Sequence, residues 1–353
     1  MFHEGYRGKH RWGMNKNVTM KNIADALGVS TVTVSKALSD KDGVGEQLRR
    51  SIKQKADEMG YCHSVSKAKS VSDSSKFNIG VIVASNYVDP DSYAFYLKVY
   101  HYIILALTKC NYSGIMEIIS DDMREKMTMP VVAAERKVDG IIILGQFSTA
   151  YVQKIKGTGI PLVLLDFYDG EVEADSVVTD NVYGAYRLTE YCIDKGHKKI
   201  AFVGSIHATA SILDRYLGYY RALLVHGIEP RADYVLEDRD ENCLFKSEIA
   251  LPEDMPTAFV CNCDELAYLL IEQLRNKGLR VPEDVSVVGF DNYTFIGHLT
   301  YQKLTTVAVN VEVMAGEAVS LLIRQIEGGA PSNVRKVIDG TLLIRDSVKD
   351  IRK

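Results

Sequence analysis

From Ile79 onward, short runs of apolar, mostly β-branched residues recur with helical stretches between them, and this alternation restricts the chain to few folds. Strands are expected at Ile79–Ala84, Gly114–Ile119, Gly140–Leu144, Pro161–Asp166, Ser176–Thr179, Lys199–Val203, Ala258–Cys261 and Ser286–Gly289. Helices are expected between them, at Ala94–Thr108, Gly184–Lys195 and Glu265–Asn276. Such an order implies α/β architecture, with doubly wound parallel sheets. Strands of that number suit two lobes with a cleft between them. Ligands of open parallel sheets sit at the carboxyl ends of the strands, so specificity should lie in the segments that follow each strand.

The stretch before this body has a different period. Thr19 can cap a helix over Met20–Leu27 with Ile23, Ala24 and Leu27 on one face, and Gly28 can end it with a left-handed turn. Ser30 can cap a second helix over Thr31–Leu38, with Val34 and Leu38 inward. A third, from about Glu46 to Gly60, aligns Leu48, Ile52, Ala56 and Met59. Two helices joined by a short glycine turn make an all-α helix-turn-helix head, whose second helix can enter the DNA major groove. Thr31, Val32, Ser35 and Lys36 would then face the bases. The hydroxyls of Thr19, Ser30 and Thr33, and the cations Arg49, Arg50 and Lys53, would meet phosphates. An ordinary polar surface helix explains the same residues, and the pattern alone does not decide between the two.

The net charge of −4 conceals an asymmetry. Residues 1–76 hold 14 Lys/Arg against 8 Asp/Glu, and the remainder 28 against 38. A basic head on an acidic body suits a polyanion partner for the head alone. The six cysteines are scattered without a CxxC pair, which reads as reduced thiols in a cytoplasmic protein. Cys261-Asn-Cys263 is a weak metal pair without a second pair near it, and no metal or cofactor is expected. The expected division is an N-terminal extension over 1–13, disordered, with Met14 a plausible start; a DNA-binding head over 14–61; a Ser/Lys-rich hinge over 62–76; and a two-lobed effector-binding and dimerisation domain over 77–348.

The head sequence "VTMKNIADALGVSTVTVSKAL" with "MGY", followed in order by "VDGIIILG", "VVTDNVYGAYRLTEYCIDKGHKKIAFVGS", "RYLGYYRAL", "MPTAFVCNCDELA", "GLRVPEDVSVVGFDN", "LTTVAVNVEVMAGEAVSLL" and "LLIRDS", resembles the LacI/GalR (lactose/galactose repressor) family over about residues 18–348. The resemblance implies two lobes of periplasmic-binding-protein type joined by three crossovers, near Thr179, Val309 and Ile338. It implies a sequence-specific DNA-binding repressor, a homodimer on a near-palindromic operator, controlled by a small molecule, most commonly a sugar. By motif position the effector residues would be Asp166, Ser211, Arg215, Cys263, Asp264 and Asp291, with Tyr93, Phe95 and Tyr96 as an aromatic wall. Carboxylates would accept from sugar hydroxyls, Arg215 would donate, and an aromatic face would cover the ring.

Three departures bear on the ligand and leave a nucleobase or a phosphosugar open beside a plain sugar. Cys263 stands where the family usually has a polar residue, Val309 where it frequently has glutamine, and the segment Arg239–Met255 is short. The hinge departs further: "GYCHSVSKAKSVS" has His63 and Ser64 in place of a Pro-Asn pair, and Ser70 near the position of the minor-groove leucine. Lys67 and Lys69 would still meet phosphates. No Walker loop, GxGxxG turn, GxSxG elbow or paired-histidine helix is present, so catalysis is not expected. His197, in "KGHKKI", reads as structural. The competing function is a sugar-binding receptor without regulatory DNA binding, and the helix-turn-helix argues against it.

Overall fold

The computed structural model describes residues 19–38, 42–59, 77–88, 94–240, 245–292 and 303–352. The chain falls into two compact units, 1–74 and 75–353.

In the first unit α1 (Met20–Leu27), α2 (Thr31–Leu38) and α3 (Glu46–Glu58) close on one small core. Ile23, Ala24, Val34, Ala37, Ile52 and Ala56 fill it. Thr19 caps α1 in a reciprocal box with Asn22, and Gly28 ends the helix at φ 64°. Ser30 caps α2, accepting from the Thr33 amide at 3.0 Å. One expected core position moves outward: Leu48 is 37% exposed. Ala37 closes the centre of the bundle instead.

The second unit alternates as expected: β1 (Asn78–Ala84), α4 (Ala94–Lys109), β2 (Ser113–Ile119), α5 (Asp121–Glu125), α6 (Val131–Ala134), β3 (Gly140–Leu144), α7 (Thr149–Lys156), β4 (Leu162–Leu165) and β5 (Asp175–Thr179). Then follow α8 (Asn181–Asp194), β6 (Ile200–Val203), α9 (Ala210–Val225), β7 (Val235–Leu236), β8 (Ala258–Cys261), α10 (Asp264–Asn276), β9 (Ser286–Asp291), β10 (Thr305–Ala308), α11 (Val311–Ile326), β11 (Arg335–Ile338) and β12 (Thr341–Leu343). Two six-stranded sheets result, ordered β11-β5-β4-β3-β1-β2 and β12-β10-β9-β8-β6-β7. All pairings are parallel except β10 with β12.

Period-two alternation explains the layers. In β1, Ile79, Val81 and Val83 face one core, while Ile82 and Ala84 face another. In β6, Ile200 and Phe202 look one way, and Ala201 and Val203 the other. Three crossovers join the lobes, from β5 into α8, from β10 into α11, and from β11 into β12. They leave near Thr179, Val309 and Ile338, the positions the resemblance implies. Val309, Val311 and Met314 carry one apolar cluster through both lobes. His197 is 1% exposed and bonds the Thr257 hydroxyl at 2.9 Å and the Lys349 carbonyl at 3.0 Å. It ties the turn before β6 to the C-terminal segment. Among the described residues no helix is long and apolar enough to cross a membrane.

Candidate functional site

In the head, α2 presents a mixed face. Thr31, Val32 and Lys36 are exposed, and Thr33 and Ser35 half-buried. Val32 is 62% exposed, far more than a valine needs for packing. The hydroxyls of Thr19 and Ser30 act as helix caps: Thr19 bonds Asn22, and Ser30 bonds the Thr33 side chain at 2.8 Å as well as its amide. Arg50 and Lys53 are exposed on α3. Arg49 differs from expectation. Its side chain is 14% exposed and it donates to the Val44 carbonyl at 3.4 Å, so it braces the turn before α3. Lys67 and Lys69 lie outside the described residues.

In the body, the carboxyl ends of the two sheets face each other. Among the described residues, hydrogen bonds cross between the lobes from the Ala210 amide to Gln146 Oε1 at 3.4 Å and from the Tyr168 hydroxyl to Asp214 at 3.1 Å. Arg215, on the inner face of α9, is 6% exposed. It donates to Asn181 Oδ1 at 2.8 Å, to the Asn262 carbonyl at 2.5 Å and to Asp291 Oδ1 at 3.1 Å. Its guanidinium lies 3.9 Å from the centre of the Phe290 ring. Four groups therefore fix one charge before any ligand arrives.

Asp166 follows β4 in the first lobe, in the left-handed region at φ 67°, a conformation aspartate tolerates. The Tyr96 hydroxyl donates to its Oδ2 at 2.8 Å. Burial raises its carboxyl to about 6, against the opposing pull of Arg215 and Tyr96, with Asp291 adding to the rise. Asp166 follows a strand of the first lobe, and Arg215 and Asp291 belong to the second, near enough for their charges to act on it. Burial also raises Asp291, with Arg215 opposing. Tyr96 lies against Tyr87 at a tilt of 37°, with ring centres 4.6 Å apart, and meets Phe95 edge-on at 5.2 Å, so an aromatic wall stands beside Asp166. Tyr93 lies outside the described residues.

The remaining expected residues divide. Ser211 sits in the first turn of α9, bonded to Thr209 at 3.0 Å. Cys263 lies in the cleft half-buried, its thiol pushed well up by burial and then by Asp291 and Glu265. Asp264 is a correction. It is 1% exposed, and its Oδ1 accepts from the Thr306 hydroxyl at 2.6 Å. A Cβ on Gly289 would meet that oxygen at 2.2 Å, so Asp264 locks α10 onto β9 and β10 and does not face the cleft.

Sequence reasoning missed Tyr87, Asn181, Arg239, Asn262 and Glu265. Tyr87 lies just after β1, where the strand-end rule alone would have found it. Arg239 follows β7, whose two residues are too short for any periodicity to reveal. Asn181 and Asn262 orient Arg215.

A three-helix head with a helix-turn-helix, and a body of two parallel-sheet lobes closing on a charged cleft, define a DNA-binding transcriptional regulator with a periplasmic-binding-protein-like sensor domain. Known proteins agree with this class. Residues 19–64 match bacterial regulatory proteins of the lacI family, and residues 189–348 a periplasmic binding protein-like domain. The HTH-type transcriptional repressor PurR of Vibrio vulnificus is 29% identical over 345 residues, covering 94% of this chain and 99% of that protein. The transcriptional regulator CelR–cellobiose complex shares the fold with a TM-score of 0.66 at 23% identity, over 94% of this chain and 99% of that one. The lac repressor dimer bound to operator and the anti-inducer ONPF shares it with a TM-score of 0.62 at 19% identity, over 95% and 100%. The chain thus carries a head of the lacI family of bacterial regulatory proteins and a periplasmic-binding-protein-like body, and over nearly its whole length it is similar to repressors of that type.

Proposed function

We propose that this regulator is a repressor that binds a near-palindromic operator as a homodimer and is controlled by a sugar-class effector held between the lobes of its body. One observation carries the effector reading: Arg215, fixed by Asp291, Asn181 and the Asn262 carbonyl, faces Asp166 and its Tyr96 partner from the opposite lobe. A donor and two carboxylates converging beside packed aromatic rings form a polyol site. Ser211 and Cys263 complete its second-lobe wall. CelR, of the same fold, is described with cellobiose bound, and this supports a carbohydrate.

The homodimer reading rests on the first lobe. Leu97 and Leu105 of α4 are 45% and 42% exposed, and Ile118, on the face of the edge strand β2 that α4 covers, is 49% exposed. An apolar strip of this kind on an edge strand and its neighbouring helix suits a self-complementary interface. One head reads only a few base pairs, so specificity requires two.

The test is a gel shift of the full chain on DNA from upstream of its own gene, with and without candidate sugars. Retarded DNA that a sugar releases or tightens supports the reading. A sugar bound with no DNA binding at low salt would favour a receptor module and overturn it.

A further inference from the structure

The order of the sheets puts β2 and β7 at matching places. Each is the outermost strand of its lobe, on the side farthest from the crossovers, which leave from β5, β10 and β11. The segments after β2 and β7 therefore form the mouth of the cleft. Each carries an arginine: Arg124 on α5, and Arg239 just beyond β7.

Both are held near the interior. Arg239 pairs with Phe245 in an antiparallel bridge, lies 4.5 Å above that ring, and has its Nε 3.6 Å from Asp238. The Asp238 carboxylate is itself occupied by the Ser205 amide at 2.6 Å and Asn262 Nδ2 at 2.9 Å. Arg124 pairs with Asp121 through one terminal nitrogen, while its Nε is buried with no acceptor among the described residues. Asn86 Oδ1, at the end of β1, is likewise buried without a donor among them.

The two guanidinium groups, from opposite lobes, bear on one phenol. Burial pushes the Tyr87 hydroxyl up to about 12, while Arg239 and Arg124 both pull it down. Each guanidinium has a carboxylate neighbour of its own and more donors than one carboxylate fills, so an anion at the mouth would be drawn from both sides.

We propose that the effector carries an anionic group, a carboxylate or a phosphate ester, which docks at the mouth between Arg124 of one lobe and Arg239 of the other while its hydroxyls face Asp166 and Arg215. The inference rests on the reading of the cleft as the effector site. Glu265, the carboxylate facing Arg239 from the first turn of α10, does not block such a group. Burial pushes it up to about 7, with Arg239 opposing and Asp291 adding, so it takes up a proton readily as an anion enters. Planar guanidinium groups match both oxyanions in bidentate fashion.

The experiment is thermal shift and calorimetry on the full chain with matched probes. Glucose and galactose are set against glucuronate, galacturonate and glucose 6-phosphate, with inorganic phosphate as the anion alone. At least one acidic sugar should bind ten-fold or more tightly than its neutral partner. Arg239→Gln and Arg124→Gln should each erase most of that preference, and Arg239→Lys should retain part of it. Uronates and the phosphate ester separate the two anion sources. If no acidic probe binds, or if Arg239→Gln and Arg124→Gln leave the preference intact in folded protein, the anionic effector is overturned. If only neutral sugars bind, and that binding is lost in Arg215→Ala, the cleft reading stands and the anion falls. Probes whose binding survives Arg215→Ala occupy another site and sink the cleft reading itself.

Discussion

Arg215 and Asp291 form an ion pair of 3.1 Å within the second lobe, with both side chains largely covered. Asp291 holds its place at φ 102°, so strand β9 ends in a strained turn that aims the carboxylate at the guanidinium. A pair this desolvated contributes little net stability, since the cost of removing both charges from water offsets their attraction. Its geometry serves the ligand site: the guanidinium is stationary before binding.

Arg215→Ala should abolish the response to effector while leaving basal operator binding nearly intact. It should also lower the stability of the body by about 3–5 kcal/mol, because Asp291 is left buried and unpaired. Adding Asp291→Asn, which tolerates the positive φ, should recover part of the melting temperature but none of the response. Gel shifts with and without ligand, beside melting curves, read both. A double variant no more stable than the single one would show that the pair is not the source of the loss.

Asp166→Asn separates charge from shape, because asparagine keeps the left-handed turn and can still accept from Tyr96. The folded carboxyl sits at about 6 against an ordinary 3.8. Between those values the folded body holds a proton that the unfolded chain has released, so stability falls as pH rises through that window, and the loss is complete above it. The melting temperature of Asp166→Asn relative to the parent should therefore climb from pH 4 to pH 7. A difference that shrinks with rising pH would mean that Asp166 is ionised throughout and held by Arg215.

Gly218→Ala tests how closely α9 lies on α8. A Cβ at Gly218 would stand 2.1 Å from the Val182 carbonyl and 2.9 Å from the Tyr186 amide. Both are backbone atoms of α8, so one helix must move, at a cost of about 1–3 kcal/mol or more. Gly316, on α11, has nothing within 4 Å of its Cβ position. Gly316→Ala should stabilise by roughly 0.5–1 kcal/mol through helix propensity alone. Denaturant titration should give the two changes opposite signs.

Period and punctuation made most of the architecture legible. Gly140–Leu144 and Ala258–Cys261 are continuous apolar runs between turn signals, and their bounds are those expected. Strands β10, β11 and β12 carried no such signal. Arg335–Ile338 alternates between exposed and half-buried positions, and Thr341–Leu343 has three residues. Their pairing partners are far away in sequence, so only tertiary contact defines them. Asp264 shows a different limit. An aspartate at a strand end and a helix start suits a ligand site or a structural tie equally well in sequence. The missing side chain of Gly289, beside Asp264 in space, decides for the tie. Arg49 shows a similar limit: in sequence a basic residue on a helix reads as exposed, while in the structure the Val44 carbonyl accepts from it.

The distinction between Arg49 and its neighbours yields the last prediction. Arg50 and Lys53 are exposed on α3, and Lys36 on α2. Removing a cation that neutralises one phosphate should lower the steepness of the salt dependence by about one. Arg50→Ala and Lys53→Ala should therefore weaken operator binding uniformly across sequences and flatten that dependence. Arg49→Ala should instead lower the stability of the head and leave the slope nearly unchanged, since its guanidinium is bound to the head's own backbone. Lys36 stands beside Val32 on the face of α2 that would enter the major groove. If it reads a base, Lys36→Ala costs about 1–3 kcal/mol at one operator position and relaxes the preference there. Binding measured across a set of single-base operator variants at several salt concentrations separates these cases. Uniform weakening with a reduced slope would move Lys36 to the phosphates and leave Val32 and Thr31 as the base-facing residues. A salt-independent interaction would remove the head from DNA altogether.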